Sequence, residues 1–147
     1  MDPENPIVKL CATGMQAEFA GRLDEARALF TQAWQQRQDD FEACIAAHYL
    51  ARHQDDPQQT LHWKELSLKY AEAAENERVR GFYPSLYLNI GHSHEMLGNL
   101  DEAARYYDLA SSRLGDLAED GYGEVVRNAV AEGHKRIGKG GDVQRVE

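Results

Sequence analysis

"GRLDEARALFTQA" occupies residues 21–33, and "GNLDEAARYYDLA" occupies residues 98–110. The two stretches keep Gly, Leu, Asp, Glu and two Ala at the same spacing, while Leu29-Phe30 becomes Tyr106-Tyr107. A phrase written twice in a chain of 147 residues marks a structural unit used more than once. Each copy opens on a Gly suited to a turn between helices, and then places acids where the start of a helix favours negative charge. Ala26, Phe30 and Ala33 recur at four- and three-residue steps, as do Ala103, Tyr107 and Ala110, which is the period of one helix face. The small Ala admits a neighbouring helix, and the aromatic one turn on fills the wider gap beyond it.

A partner helix precedes each copy. Before Gly21, "NPIVKLCATGMQAEFA" gathers Ile7, Leu10, Cys11 and Gly14 on one face; before Gly98, "YPSLYLNIGHSHEML" gathers Tyr87, Ile90, Gly91 and His94. Gly14 and Gly91 stand at the same distance before their turn glycines. A mid-helix Gly costs about 1 kcal/mol relative to Ala, so both positions predict a close helix crossing.

On these residues the chain resembles the tetratricopeptide repeat, a helix-turn-helix of about 34 residues with Gly and a bulky residue on its first helix and Ala, aromatic and Ala on its second. The match covers residues 7–40 and 84–117, and more weakly 41–83, where the first helix shows Cys44, Ala47, His48 and Ala51 and the second follows Pro57 as "PQQTLHWKELSLKYAEAAEN". Gly98 lies 77 residues after Gly21 (98 − 21), against about 68 for two standard repeats. The middle unit is therefore longer, by way of its second helix and the linker "ERVRGFYP". The chain lacks the family's first-helix Trp and the Pro that often ends a repeat. The resemblance implies an all-α fold, a right-handed superhelix of three helix pairs, in one domain over residues 1–138. "GEVVRNAVAEGHKRIG" is expected to form a capping helix over about 121–137, with Val125, Ala129 and Ile137 facing inward, followed by a flexible tail over 139–147. Seven helices and no strand are expected.

Composition narrows the function. Mean hydropathy of −0.65 and 28% charged residues describe a well-solvated surface, and no apolar run approaches the roughly 18 residues of a membrane span. The start, "MDPENPIVKL", is acidic and proline-bearing, the wrong chemistry for a secretory signal, so a cytoplasmic location is expected. Cys11 and Cys44, the only cysteines, sit in apolar helical patterns and are expected to be buried thiols rather than a disulfide or metal pair. A net charge of −9 argues against nucleic acid, whose phosphates require a basic stripe, and suits a basic protein surface, a peptide or a small ligand.

No Gly-rich strand-to-helix loop, GxSxG or HExxH motif is present, so neither an enzyme nor a cofactor is expected. Metal-binding His pairs on a helix need a four-residue spacing to share a face. His48 and His53 are five apart, about 140° round a helix, and His92 and His94 are two apart, about 200° round. Neither pair chelates locally, and no metal is expected.

In the family resembled, first helices line a concave surface that binds ligands. The resemblance places Glu18, with Met15 and Phe19, on that surface in the first unit. It places Ile45, Tyr49, Arg52 and His53 there in the second, and Leu88, Asn89, His92, Glu95 and Met96 in the third. Tyr49, Arg52 and His53 fall at i, i+3 and i+4, one helix face, and Asn89, His92 and Glu95 repeat the geometry. The bland alternative is that Arg52 merely pairs with Glu95 or Glu18 as a solvated ion pair worth about 0–1 kcal/mol. The family's carboxylate clamp, built from several Lys and Asn, is not reproduced. The expected function is non-catalytic binding of a peptide, protein segment or small polar ligand. The alternative is a self-associating structural unit in which Trp34, Trp63 and Phe82 supply an oligomer interface.

Overall fold

The computed structural model describes residues 2–75 and 77–146, with side chains as far as residue 138 apart from residue 76. Within these residues the chain is helical without strands: α1 (Pro6–Phe19), α2 (Leu23–Gln36), α3 (Asp40–Leu50), α4 (Pro57–Ala74), α5 (Glu77–Arg80), α6 (Tyr83–Met96), α7 (Leu100–Ser112) and α8 (Gly121–Val146), with 3-10 turns at Ala51–His53 and Leu114–Asp116. The expected count of seven helices is exceeded by α5, a single turn inside the linker "ERVRGFYP". Helix α8 continues to Val146, so the stretch expected as a tail is helical that far, and Glu147 lies outside the described residues. Contacts gather into two compact units, Met1–Val79 and Arg80–Glu147.

Local chemistry sets the helix ends. Asn5 caps α1 by accepting from the N–H groups of Ile7 (2.8 Å) and Val8 (3.1 Å), with Pro6 at the first helical position. Asp39 caps α3 through Glu42 N–H, and Asp56 caps α4 ahead of Pro57. Gly21 and Gly98 both take φ +82°, the left-handed conformation in which a Cβ is strained. Arg22 N–H then reaches back to Ala17 O, and Asn99 N–H to His94 O, each at 2.8 Å. Bonds of that span close a Schellman ending, so the two turns read from the sequence have one geometry.

In the first unit α1 packs on α2 and α3 on α4. Ala17, Ala26, Phe30 and Ala33 are fully buried, and a Cβ built on Gly14 would stand 2.4 Å from Phe30 Cε1. Ser67 of α4 donates its hydroxyl to the Cys44 carbonyl of α3 at 2.8 Å. Cys11 and Cys44 are buried and free, and burial pushes their thiols up to about 12 and about 11.

The second unit repeats the α1–α2 contact. Helix α6 crosses α7 at Gly91, where a Cβ would lie 2.9 Å from the Tyr107 ring, and α8 presents Gly133 to that ring at 2.7 Å. Tyr107 thus lies in a slot between two glycines. Val126, Val130 and Gly133 form the inward stripe of α8. Val125, expected inward, is 65% exposed; the stripe runs one residue later because Val126 packs with Ala110, Leu117 and Val130. The opposite face, with Asn128, Glu132 and Lys135, is exposed and polar.

Bulk at these crossings should be costly. Ala26→Leu, Ala103→Leu and Gly91→Val each insert atoms where two helices meet, and overpacking typically costs about 1–3 kcal/mol. Urea denaturation reads the effect; unchanged midpoints for all three would refute the packing described.

Candidate functional site

Glu18 and Glu95 stand at equivalent places, the third residue before Gly21 and Gly98; Glu18 clasps side chains of the 3-10 turn that follows α3, and Glu95 clasps an arginine of α8. In the first unit the Glu18 carboxylate accepts from the Arg52 guanidinium and from His53 Nε2, the latter at 2.7 Å. His53 and Glu18 are largely covered, with side chains 10% and 18% exposed, whereas Arg52 is 44% exposed. In the second unit Arg136 of α8 donates to both Glu95 oxygens, at 2.8 and 3.1 Å, and the Tyr107 hydroxyl donates to Glu95 at 2.7 Å. The Arg136 hydrogen bonds hold the Glu95 carboxyl below its ordinary pKa. Burial and the bond to Glu95 push the Tyr107 phenol up to about 12.

The equivalence extends to the ring beneath each clasp. Phe30 stacks on Tyr49 (centroids 5.1 Å, planes 13° apart) and touches His53 (5.3 Å), whereas Tyr107 takes Gly133 against its ring. Arg52 follows Tyr49 by three residues, as Arg136 follows Gly133. Helix α8 therefore meets α6 and α7 with the same positions that α3 offers to α1 and α2.

Beside the first clasp, α1 and α3 enclose an open pocket of about 50 Å³ lined by Val8, Cys11, Ala12, Met15, Ile45 and Tyr49. Its lining is apolar, with Arg52 5.0 Å above the Tyr49 ring at the clasp end. His48, one position before Tyr49, meets that ring edge-on at 5.0 Å. Burial, reinforced by Arg52 and Lys64, pushes the His48 imidazole down to about 4, and Glu18 opposes this only in part. Burial also lowers the Lys64 ammonium.

The expected site residues thus fall into two sets. Glu18, Tyr49, Arg52 and His53 come together in the first unit, but Tyr49 and Ile45, expected to face outward, are 9% and 4% exposed. The stacking on Phe30 and the approach of α1 cover them. Glu95 is held by Arg136 and Tyr107, His92 lies close enough to lower its pKa, and Asn89 is half-buried one turn before His92. Arg52 pairs with Glu18, as one of the two bland alternatives had it. Arg136 and the Tyr107 hydroxyl were not expected. The matched placement of Glu18 and Glu95 before the turn glycines was the signal for both clasps. Trp34 and Trp63 are half-buried against one another.

Tyr107→Phe removes one hydrogen bond to an ionised carboxylate, a change worth about 1.5–3 kcal/mol. Since Arg136 still holds Glu95, the lower end is expected. A thermal melt with no shift would show the hydroxyl to be energetically idle.

Among the described residues no helix is long and apolar enough to cross a membrane, and no group of three or more His, Cys, Asp or Glu could hold a metal ion. Comparison with protein-family models, with curated proteins and with solved structures finds no match.

Proposed function

We propose that the chain is a non-catalytic binding module of tetratricopeptide-repeat type, with three helix pairs forming a right-handed superhelix capped by α8. Its binding groove is the α1–α3 face of the first unit. The observation that carries this reading is an apolar pocket placed beside a charged clasp, in the face formed by two first helices. Such a face fits a peptide or protein segment that seats one small apolar side chain among Val8, Ala12, Met15 and Tyr49. A polar group of the same segment then competes with Glu18 for the half-exposed Arg52.

Titration of the isotope-labelled protein with a short-peptide library tests this reading. Backbone shifts should move at Val8, Ala12, Met15 and Tyr49, and Met15→Lys or Arg52→Ala should remove the response. Arg52→Ala should change stability by no more than about 1 kcal/mol, as expected for a partly exposed ion pair. If both variants select the same peptides as the wild type, the groove has no binding role. A second reading, self-association, is favoured by Phe19 and Met96, which occupy equivalent positions before the turns and are 97% and 70% exposed. Sedimentation over a range of concentrations separates the two. A larger species that Phe19→Ser dissolves supports assembly, and a single monomeric species supports the groove.

A further inference from the structure

Away from the groove, α2 and α4 carry an aromatic group whose open face is already occupied by a cation. Trp34 of α2 meets Trp63 of α4 at 5.0 Å with planes 84° apart, and Tyr70, two turns along α4, at 6.0 Å with planes 69° apart. The Arg37 guanidinium carbon lies 3.7 Å from the Trp34 ring centroid, and its Nη1 donates to the Trp34 carbonyl at 2.7 Å.

Arginines also cover rings elsewhere, among them Arg52 on Tyr49, Arg105 on Tyr106 and Arg113 on Tyr83. Each of those three also holds a carboxylate, from Glu18, Glu102 and Asp116. Arg37 holds none among the described residues, although the chain carries 25 acidic residues against 16 Lys and Arg. Its position is therefore set by the indole and one carbonyl. Indole is the strongest cation acceptor among the aromatic side chains. Arg37 is also the residue that closes α2, with φ −59° and ψ 143° outside helical values, so its side chain can turn away without unwinding the helix.

We propose that the Trp34 face, backed by Trp63 and Tyr70, is a binding site for an arginine side chain of a partner protein, with Arg37 as the resident occupant that the incoming guanidinium displaces. A guanidinium already seats on this face, and the net charge of −9 favours a basic partner. A resident cation weakens binding of an incoming one, because the face must first be vacated.

The test uses the whole chain, wild type and Arg37→Ala, titrated with a blocked Gly-Arg-Gly peptide and with its citrulline counterpart, neutral and nearly isosteric. The indole N–H signal of Trp34, assigned with Trp63→Phe, is followed by NMR. The arginine peptide should bind Arg37→Ala about five- to tenfold more tightly than wild type, the scale of one cation–π contact. The citrulline peptide should shift neither protein. Equal affinity of the arginine peptide for both proteins, or no binding to either, would make Arg37 a structural lid and overturn the proposal. Equal binding of the citrulline peptide would reduce the site to an apolar patch and overturn it as well. Should Arg37→Ala fail to fold, Arg37→Gln removes the guanidinium that competes for the indole, and tighter binding of the arginine peptide than to the wild type is again expected.

Discussion

Phe30→Ala should lower the unfolding free energy by about 3–5 kcal/mol, the usual cost of emptying a buried aromatic site. Phe30 is completely buried, stacks on Tyr49 and fills the space against Gly14. Small domains hold only about 5–15 kcal/mol in total, so this one change should consume a large part of it. Urea denaturation followed by circular dichroism measures the loss, and a loss under 1 kcal/mol would mean that the ring is not the keystone described. A second variant sharpens the test. Gly14→Ala alone should destabilise, because its Cβ would meet Phe30 Cε1 at 2.4 Å. In the Phe30→Ala background that clash is gone, and the better helix propensity of Ala should stabilise by up to about 1 kcal/mol. The reversal of sign is a non-additivity that only direct contact between positions 14 and 30 produces.

Acid should weaken the fold well before carboxylates protonate. His48 titrates near 6.5 when unfolded and near 4 in the folded chain, so between those values the unfolded chain binds the extra proton. Stability is then full above about pH 6.5, falls as pH drops toward about 4, and levels off below. One pKa unit corresponds to about 1.4 kcal/mol, so the whole limb amounts to about 3 kcal/mol. His48→Gln should flatten it. Glu95, whose pKa is lowered, contributes a separate loss only as pH falls through the carboxylate range, below the interval from pH 6.5 to 5 in which the His48 loss begins. A wild-type melting temperature that does not change across this interval would show that the folded chain carries His48 protonated.

The α1–α2 and α6–α7 pairs were legible because their determinants are local. A glycine at φ +82°, acids at the helix start and an Ala-aromatic-Ala face lie within one short window. The glycines at 14 and 91 could be read as crossings because nothing else justifies a glycine inside a helix. Exposure at the site was harder. Tyr49 is polar-tipped and shares a helix face with Arg52, which suggests solvent, yet the ring beneath it decides otherwise. Whether a phenol at such a position is covered depends on Phe30, nineteen residues earlier (49 − 30), and no window around Tyr49 contains that fact. Arg136 was missed for the same reason: it lies 41 residues from Glu95. The one-residue error at Val125 has another cause. Val125 and Val126 are adjacent and chemically identical, so periodicity leaves the choice between them to whatever α8 packs against.

Connector length has a kinetic consequence. Three residues join α1 to α2, α2 to α3, and α6 to α7, and three more follow the 3-10 turn before α4. Closing so short a connection costs little chain entropy, since that cost grows with the logarithm of loop length. The turn glycines further restrict the directions the second helix can take. Each helical hairpin can therefore form from its own residues before any distant partner arrives. Proteins dominated by such near-neighbour pairing fold in microseconds to milliseconds. Refolding from urea should accordingly run to completion within the mixing time of a stopped-flow instrument or shortly after it, with the hairpin around Gly21 or Gly98 as the earliest ordered piece.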